Sequence, residues 1–161
     1  MFRKLLALSI FITAPGIALA QGGGWQGGPG GDGSFAAAPA CAGCTAPALQ
    51  FSCRSSDKQV RLTVGLPLSG GGEGQKVDLI FSIDGLVDVR RGYRYRDPAA
   101  GLLGATDITI DDGLIAALKL GKTATVTLDE QTIQVPLAGS AEAFKAMRAA
   151  CGAAPVPERE Q

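Results

Sequence analysis

Three of the four cysteines in this 161-residue chain fall in PACAGCTAPALQFSC, residues 39–53, and two of them form a C-x-x-C. That pattern can serve haem attachment, metal binding, thiol exchange or a plain staple. Haem attachment needs a histidine directly after the second cysteine. Thr45 stands there, and the chain contains no histidine. The same lack removes the imidazole as metal ligand, general base and middle member of a hydrolase triad. Tetrathiolate zinc sites use two closely spaced pairs, whereas Cys53 and Cys151 are far apart, so neither metal nor cofactor is expected.

A thiol–disulfide enzyme sets its C-x-x-C at a helix N-terminus, where the dipole lowers the thiol pKa. Cys41 and Cys44 lie instead in Ala-, Pro- and Gly-rich chain with no charged neighbour. Periplasmic thiol–disulfide exchange through this motif is therefore the alternative reading, and structural disulfides are the leading one. Four cysteines permit three pairings. Cys53 shares a strand face with Leu49 and Phe51, and Cys151 shares a helical stripe with Phe144 and Met147. Both point inward, which favours Cys53–Cys151 and leaves Cys41–Cys44 as a small local ring.

The remaining clustered chemistry is in VDVRRGYRYRD. Alternation puts Arg90, Arg94 and Arg96 on one strand face, with Val87, Val89, Tyr93 and Tyr95 on the other. Arginines at two-residue spacing can recognise carboxylates, sulfates or phosphates on an anionic polymer. The competing reading, and the one favoured, is a solvated edge strand kept soluble by charge. A bulge at Gly92 would change which arginines align.

Three motif fragments carry no function. LGKT at 120–123 lacks the glycine a phosphate-binding loop needs, because Ala116 stands there, and it follows a helix instead of opening one. Ser55-x-x-Lys58 lacks the companion elements of penicillin-binding enzymes and reads as a turn. Asp111-Asp112-Gly113 is not followed by alternating oxygen ligands, so helix capping accounts for it better than calcium.

The elements that must position these residues are mostly strands. Residues 1–20 read as a secretory signal, with Arg3 and Lys4 before an apolar run and Ala18-Leu19-Ala20 as the cleavage pattern. The run is shorter than the roughly 20 residues of a membrane span, so the mature protein is expected to have none. Of 15 basic residues, loss of Arg3 and Lys4 leaves 13 against 15 acidic, a net −2 that gives no general attraction to nucleic acid. Residues 21–47 are Gly/Ala/Pro-rich and are expected to form a flexible leader. Residues 48–151 should be one β-rich domain, and 152–161 a disordered tail.

Within the domain the apolar period is two. Val60, Leu62, Val64 and Leu66 share a face, as do Val77, Leu79, Phe81 and Ile83. Asp84-Gly85 marks a tight hairpin into LVDVRRGYRY. Ile108 and Ile110 mark a further short strand, and TATVTL and TIQVPL a second hairpin. The period turns helical in DDGLIAALKLG, capped by Asp112, and in SAEAFKAMRAAC, with Ser140 as cap. The expected fold is mainly β: an antiparallel sandwich or half-barrel with a short inserted helix and a C-terminal helix.

The segment from Asp111 to Met147 resembles the C-terminal part of small exported proteobacterial proteins of the invasion-associated locus B type. The matching elements are Leu118 to Lys122, a hairpin from Thr123 to Val135, the step Leu137 to Ser140, and the alanine-rich helix from Ala141. That resemblance implies a periplasmic or secreted β-rich domain without established catalytic residues, in some members linked to host interaction. The functional expectation is thus a non-enzymatic exported domain, disulfide-stapled, that binds an envelope protein or anionic polymer.

Overall fold

The computed structural model describes residues 24–31 and 33–152. The expected signal, residues 1–20, and all but the first residue of the expected tail, 152–161, lie outside the described residues. Nine antiparallel strands form one open sheet in the order β1-β2-β3-β4-β7-β6-β5-β8-β9, with two helices, so the chain is mainly β. The strands are β1 (Gln26–Gly30), β2 (Gly33–Ala37), β3 (Leu49–Arg54), β4 (Gln59–Val64), β5 (Lys76–Ile83), β6 (Leu86–Asp97), β7 (Gly101–Thr109), β8 (Thr123–Leu128) and β9 (Gln131–Pro136). Helix α1 (Gly113–Leu120) connects β7 to β8, and α2 (Ser140–Ala150) follows β9.

The backbone ladder that joins the two halves of the sheet is the short β6–β7 pairing, from Tyr93 opposite Ala105 to Asp97 opposite Gly101. Beyond it the halves diverge, and their inner faces share one apolar cluster. Phe51, Val60 and Leu62 come from one half, Leu79, Phe81 and Val126 from the other, and Leu114, Leu118, Phe144 and Met147 from the helices. The period-two pattern of β3, β4 and β5 builds this core because every second residue must leave water on the same side.

The segment expected as a flexible leader is the main correction. Within it, Gln26–Gly30 and Gly33–Ala37 form β1 and β2, which extend the sheet beyond β3. Poor in large side chains, they still order because Trp25, Ala36 and Ala38 are buried against the core. Small residues let α2 lie close: a Cβ at Gly27 would collide with the Ala143 carbonyl. Ser34 Oγ donates to the Met147 carbonyl at 2.7 Å, a second tie between β2 and α2.

Three smaller expectations also change. The strand marked by Ile108 and Ile110 runs from Gly101 to Thr109, because β6 pairs with residues 101–105 and β4 with residues 104–109. Gly92 is not a bulge. It pairs in register with Val77, and its missing side chain leaves room for Leu79 and the Ala105 carbonyl. Ser140 is the first residue of α2 rather than its cap; Gly139, at φ 88°, holds that position. The buried Ser140 hydroxyl donates to the Leu118 carbonyl at 2.8 Å and joins the helices. Asp112 does cap α1, accepting from the Leu114 N–H at 2.9 Å.

Candidate functional site

Two disulfides are present. Cys53–Cys151 spans 98 residues, with Cα atoms 5.9 Å apart, and ties β3 to the end of α2. Cys41–Cys44 closes a turn in which the Cys44 N–H donates to the Cys41 carbonyl. That turn belongs to the β2–β3 connection, and both cysteines pack partly against the core. No helix begins there, so no helix dipole acts on either sulfur.

The β6 arginines are each drawn to a carboxylate. Arg90 makes bidentate contacts with Asp88, at 2.7 and 2.8 Å, and with Asp112, at 2.8 and 3.0 Å. The Asp88 hydrogen bonds raise its pKa further above the ordinary guanidinium value, and those to Asp112 add to this against the cost of burial. Arg94 is 14% exposed, bonded to Asp129 at 2.9 Å and to the Gly70 carbonyl. Arg96 is exposed, 3.9 Å from Glu73. The register explains the arrangement: Asp88, Arg90 and Gly92 lie opposite Phe81, Leu79 and Val77, whose side chains turn to the core. An external anion at this strip competes with carboxylates already in place.

A concavity opens on the opposite face. A groove of about 510 Å³ runs over the outer side of β2, β3 and β4 to the end of β6. One row of paired residues across it is Phe35, Ser52, Arg61 and Asp107; the next is Gln50, Thr63, Ala105 and Tyr93. The Arg61 guanidinium lies over the Tyr95 ring, 5.1 Å from its centroid, a favourable cation–π geometry. Its Nε donates to Asp107 at 3.4 Å, while the other Asp107 oxygen accepts from the Tyr93 hydroxyl at 2.8 Å. The Tyr93 hydroxyl, held by Asp107, also acts on the Arg61 guanidinium.

Electrostatics fix the charge states of this cluster. Burial lowers the Arg61 pKa, but Tyr93 and Asp107 outweigh it and raise the value overall. Burial, then the hydrogen bond to Asp107, pushes the Tyr93 phenol upward. The groove therefore carries a cation held over the Tyr95 ring, and the Gln50 amide and the Ser52 and Thr63 hydroxyls also line it. Ser52 Oγ has Gln50 Nε2 at 3.3 Å, and an amide N–H cannot take its proton.

Sequence reasoning reached Tyr93 and Tyr95 only as the reverse side of the arginine strip, and it gave Arg61 and Thr63 no role. The available signal was the alternation of Gln50 and Ser52 with Gln59, Arg61 and Thr63 on two adjacent strands.

No family model and no curated protein matches the chain. The crystal structure of invasion associated protein B from Bartonella henselae is weakly similar, at 17% identity and a TM-score of 0.48, covering 73% of this chain and 85% of that one. This is the family type that the C-terminal segment resembles in sequence.

Proposed function

We propose that the chain is an exported, non-catalytic binding module whose outer-face groove takes a carboxylate-bearing saccharide of the bacterial envelope. The observation that carries this reading is Arg61, stacked on Tyr95 and braced through Nε by Asp107. A guanidinium fixed in this way has little rotamer freedom left to lose on binding and can meet a carboxylate with its two terminal nitrogens. Gln50, Ser52 and Thr63 supply donors and acceptors for sugar hydroxyls, and Phe35 and Tyr95 supply apolar wall for the ring C–H groups. The two disulfides support a location outside the reducing cytoplasm. A non-catalytic role is supported by a chain without histidine and a groove serine whose neighbour is an amide.

Amide-resolved NMR titration with galacturonate oligosaccharides and muramyl peptidoglycan fragments tests the reading. Shifts should concentrate on Gln50, Ser52, Arg61, Thr63 and Tyr95. Shifts confined to Arg90, Arg94 and Arg96 would return the site to the β6 strip. Reduction of insulin by the oxidised–reduced C-x-x-C couple would favour thiol exchange instead.

A further inference from the structure

β6 is followed along its length by only one neighbour. β5 pairs with it from Leu86 to Tyr93, whereas β7 pairs only from Tyr93 to Asp97. Residues 86–91 are therefore a sheet edge within the longest strand of the fold.

Parity gives the direction of the backbone groups on this edge. The Arg94 N–H donates to Gln75 and its C=O accepts from Gly74, so even-numbered residues turn toward the β5 side. Odd-numbered residues turn away from β5, as Arg91 does when its carbonyl accepts from Thr106 Oγ1 at 3.3 Å. Val87 and Val89 thus direct their N–H and C=O groups off the open edge. No backbone partner meets them there among the described residues.

The side chains of the same segment are apolar and open to water. Leu86, Val87 and Val89 are 74%, 67% and 58% exposed, and Ile80, which pairs with Val89, is 38% exposed. Protein edges are commonly blunted by lysine, proline or a bulge, and this one has none of the three. Its charges alternate in sign: Asp88 and Arg90 lie on one side of the strand, either side of Val89.

The geometry points to a second copy of this chain as the occupant, pairing antiparallel through residues 87–91 with Val89 opposite the partner's Val89. That register sets Val87 against the partner's Arg91, so the outward odd residues form the hydrogen-bonded pairs. It also sets Asp88 against the partner's Arg90, opposite charges directly across the ladder. Moving the register by two residues would bring Asp88 against the partner's Asp88, which the like charges disfavour. A shift by one would turn the exposed valines to the wrong face. The contact is small, so association should be weak and concentration-dependent.

Sedimentation equilibrium of the disulfide-intact protein tests this. Wild type should pass from monomer to dimer as concentration rises. Val89→Lys should weaken dimerisation by about tenfold or more while leaving the melting temperature close to wild type. Val89→Cys should give a disulfide-linked dimer on mild oxidation, and Val87→Cys, facing Arg91, much less. A wild type that stays monomeric, or a dimer indifferent to Val89→Lys, would overturn the proposal. So would equal cross-linking at both positions, or capture of an extended foreign peptide by a chain that does not self-associate.

Discussion

Trp25 Nε1 donates to the Pro136 carbonyl at 2.8 Å across 111 residues of sequence, and the two residues stand at opposite ends of the sheet. Trp25 immediately precedes β1, one outer strand, and Pro136 ends β9, the other. The bond clasps an open sheet that has no strand-to-strand closure. The indole also packs on Phe144 at 5.4 Å and Phe51 at 6.3 Å between centroids, so the clasp sits over the core and α2.

Replacing Trp25 with alanine should therefore cost about 3–5 kcal/mol, the range for a large aromatic removed from a core. Trp25→Phe should cost less, chiefly through the unsatisfied Pro136 carbonyl, about 1–3 kcal/mol. Urea titration followed by circular dichroism measures both. Trp25 is the sole tryptophan, so wild-type emission should be blue-shifted and move red on unfolding. An emission already at the solvated position in native buffer would deny the burial.

The disulfides should contribute very unequally. In the chain-entropy model a bridge closing a loop of about 100 residues is worth on the order of 4–5 kcal/mol, while one of a few residues restricts little. Cys53–Cys151 closes 98 residues and Cys41–Cys44 closes three. Cys151→Ser should lower the melting temperature by roughly 10 °C or more, and Cys44→Ser by only a few degrees. Differential scanning calorimetry distinguishes this from equal losses.

Arg90 should act as a structural residue. It holds Asp88 on its own strand and Asp112 at the start of α1, bridging the gap where β6 and β7 part. Arg90→Ser should cost about 1–3 kcal/mol because it leaves two partly buried carboxylates without their shared donor. Arg96→Ser, exposed and 3.9 Å from Glu73, should change stability by less than about 0.5 kcal/mol. Chemical denaturation of the two variants side by side is the check.

Tyr93 gives the fold an alkaline limit. Its phenol pKa lies above the free value of 10.0, mainly through burial and then through Asp107. The folded state thus keeps this proton longer than the unfolded chain does. That contribution is complete below about pH 10 and is lost as pH rises through the folded-state value. Tyr93→Phe should flatten the fall in melting temperature above pH 10. It should also delete the Tyr93 step from a phenolate absorbance titration.

The strands of the core half were legible because each has one wet and one dry face, so period two is written into Val60 to Val64 and Val77 to Ile83. The same was true of α1, where Asp112 and Gly121 bracket an apolar stripe. β1 and β2 were not legible. Their stability comes from partners more than 100 residues away, Pro136 and Met147, and glycine and alanine carry little period of their own. The groove was half legible: alternation gives the polar face of each strand, but only the β2-β3-β4-β7 order places Phe35, Ser52, Arg61 and Asp107 in one row. Arginine spacing on β6 misled for a related reason. The local pattern gives the faces but not which of them a neighbouring strand and helix will cover with carboxylates.

Isothermal titration of galacturonate oligosaccharides and muramyl peptidoglycan fragments, into wild type, Arg61→Met and Arg96→Met in parallel, tests the central claim most directly. The groove reading predicts saturable binding that weakens as salt is added, is lost in Arg61→Met with the melting temperature nearly kept, and is unchanged in Arg96→Met. Binding that survives Arg61→Met and disappears in Arg96→Met, or no heat from any of these ligands at low salt, would contradict it.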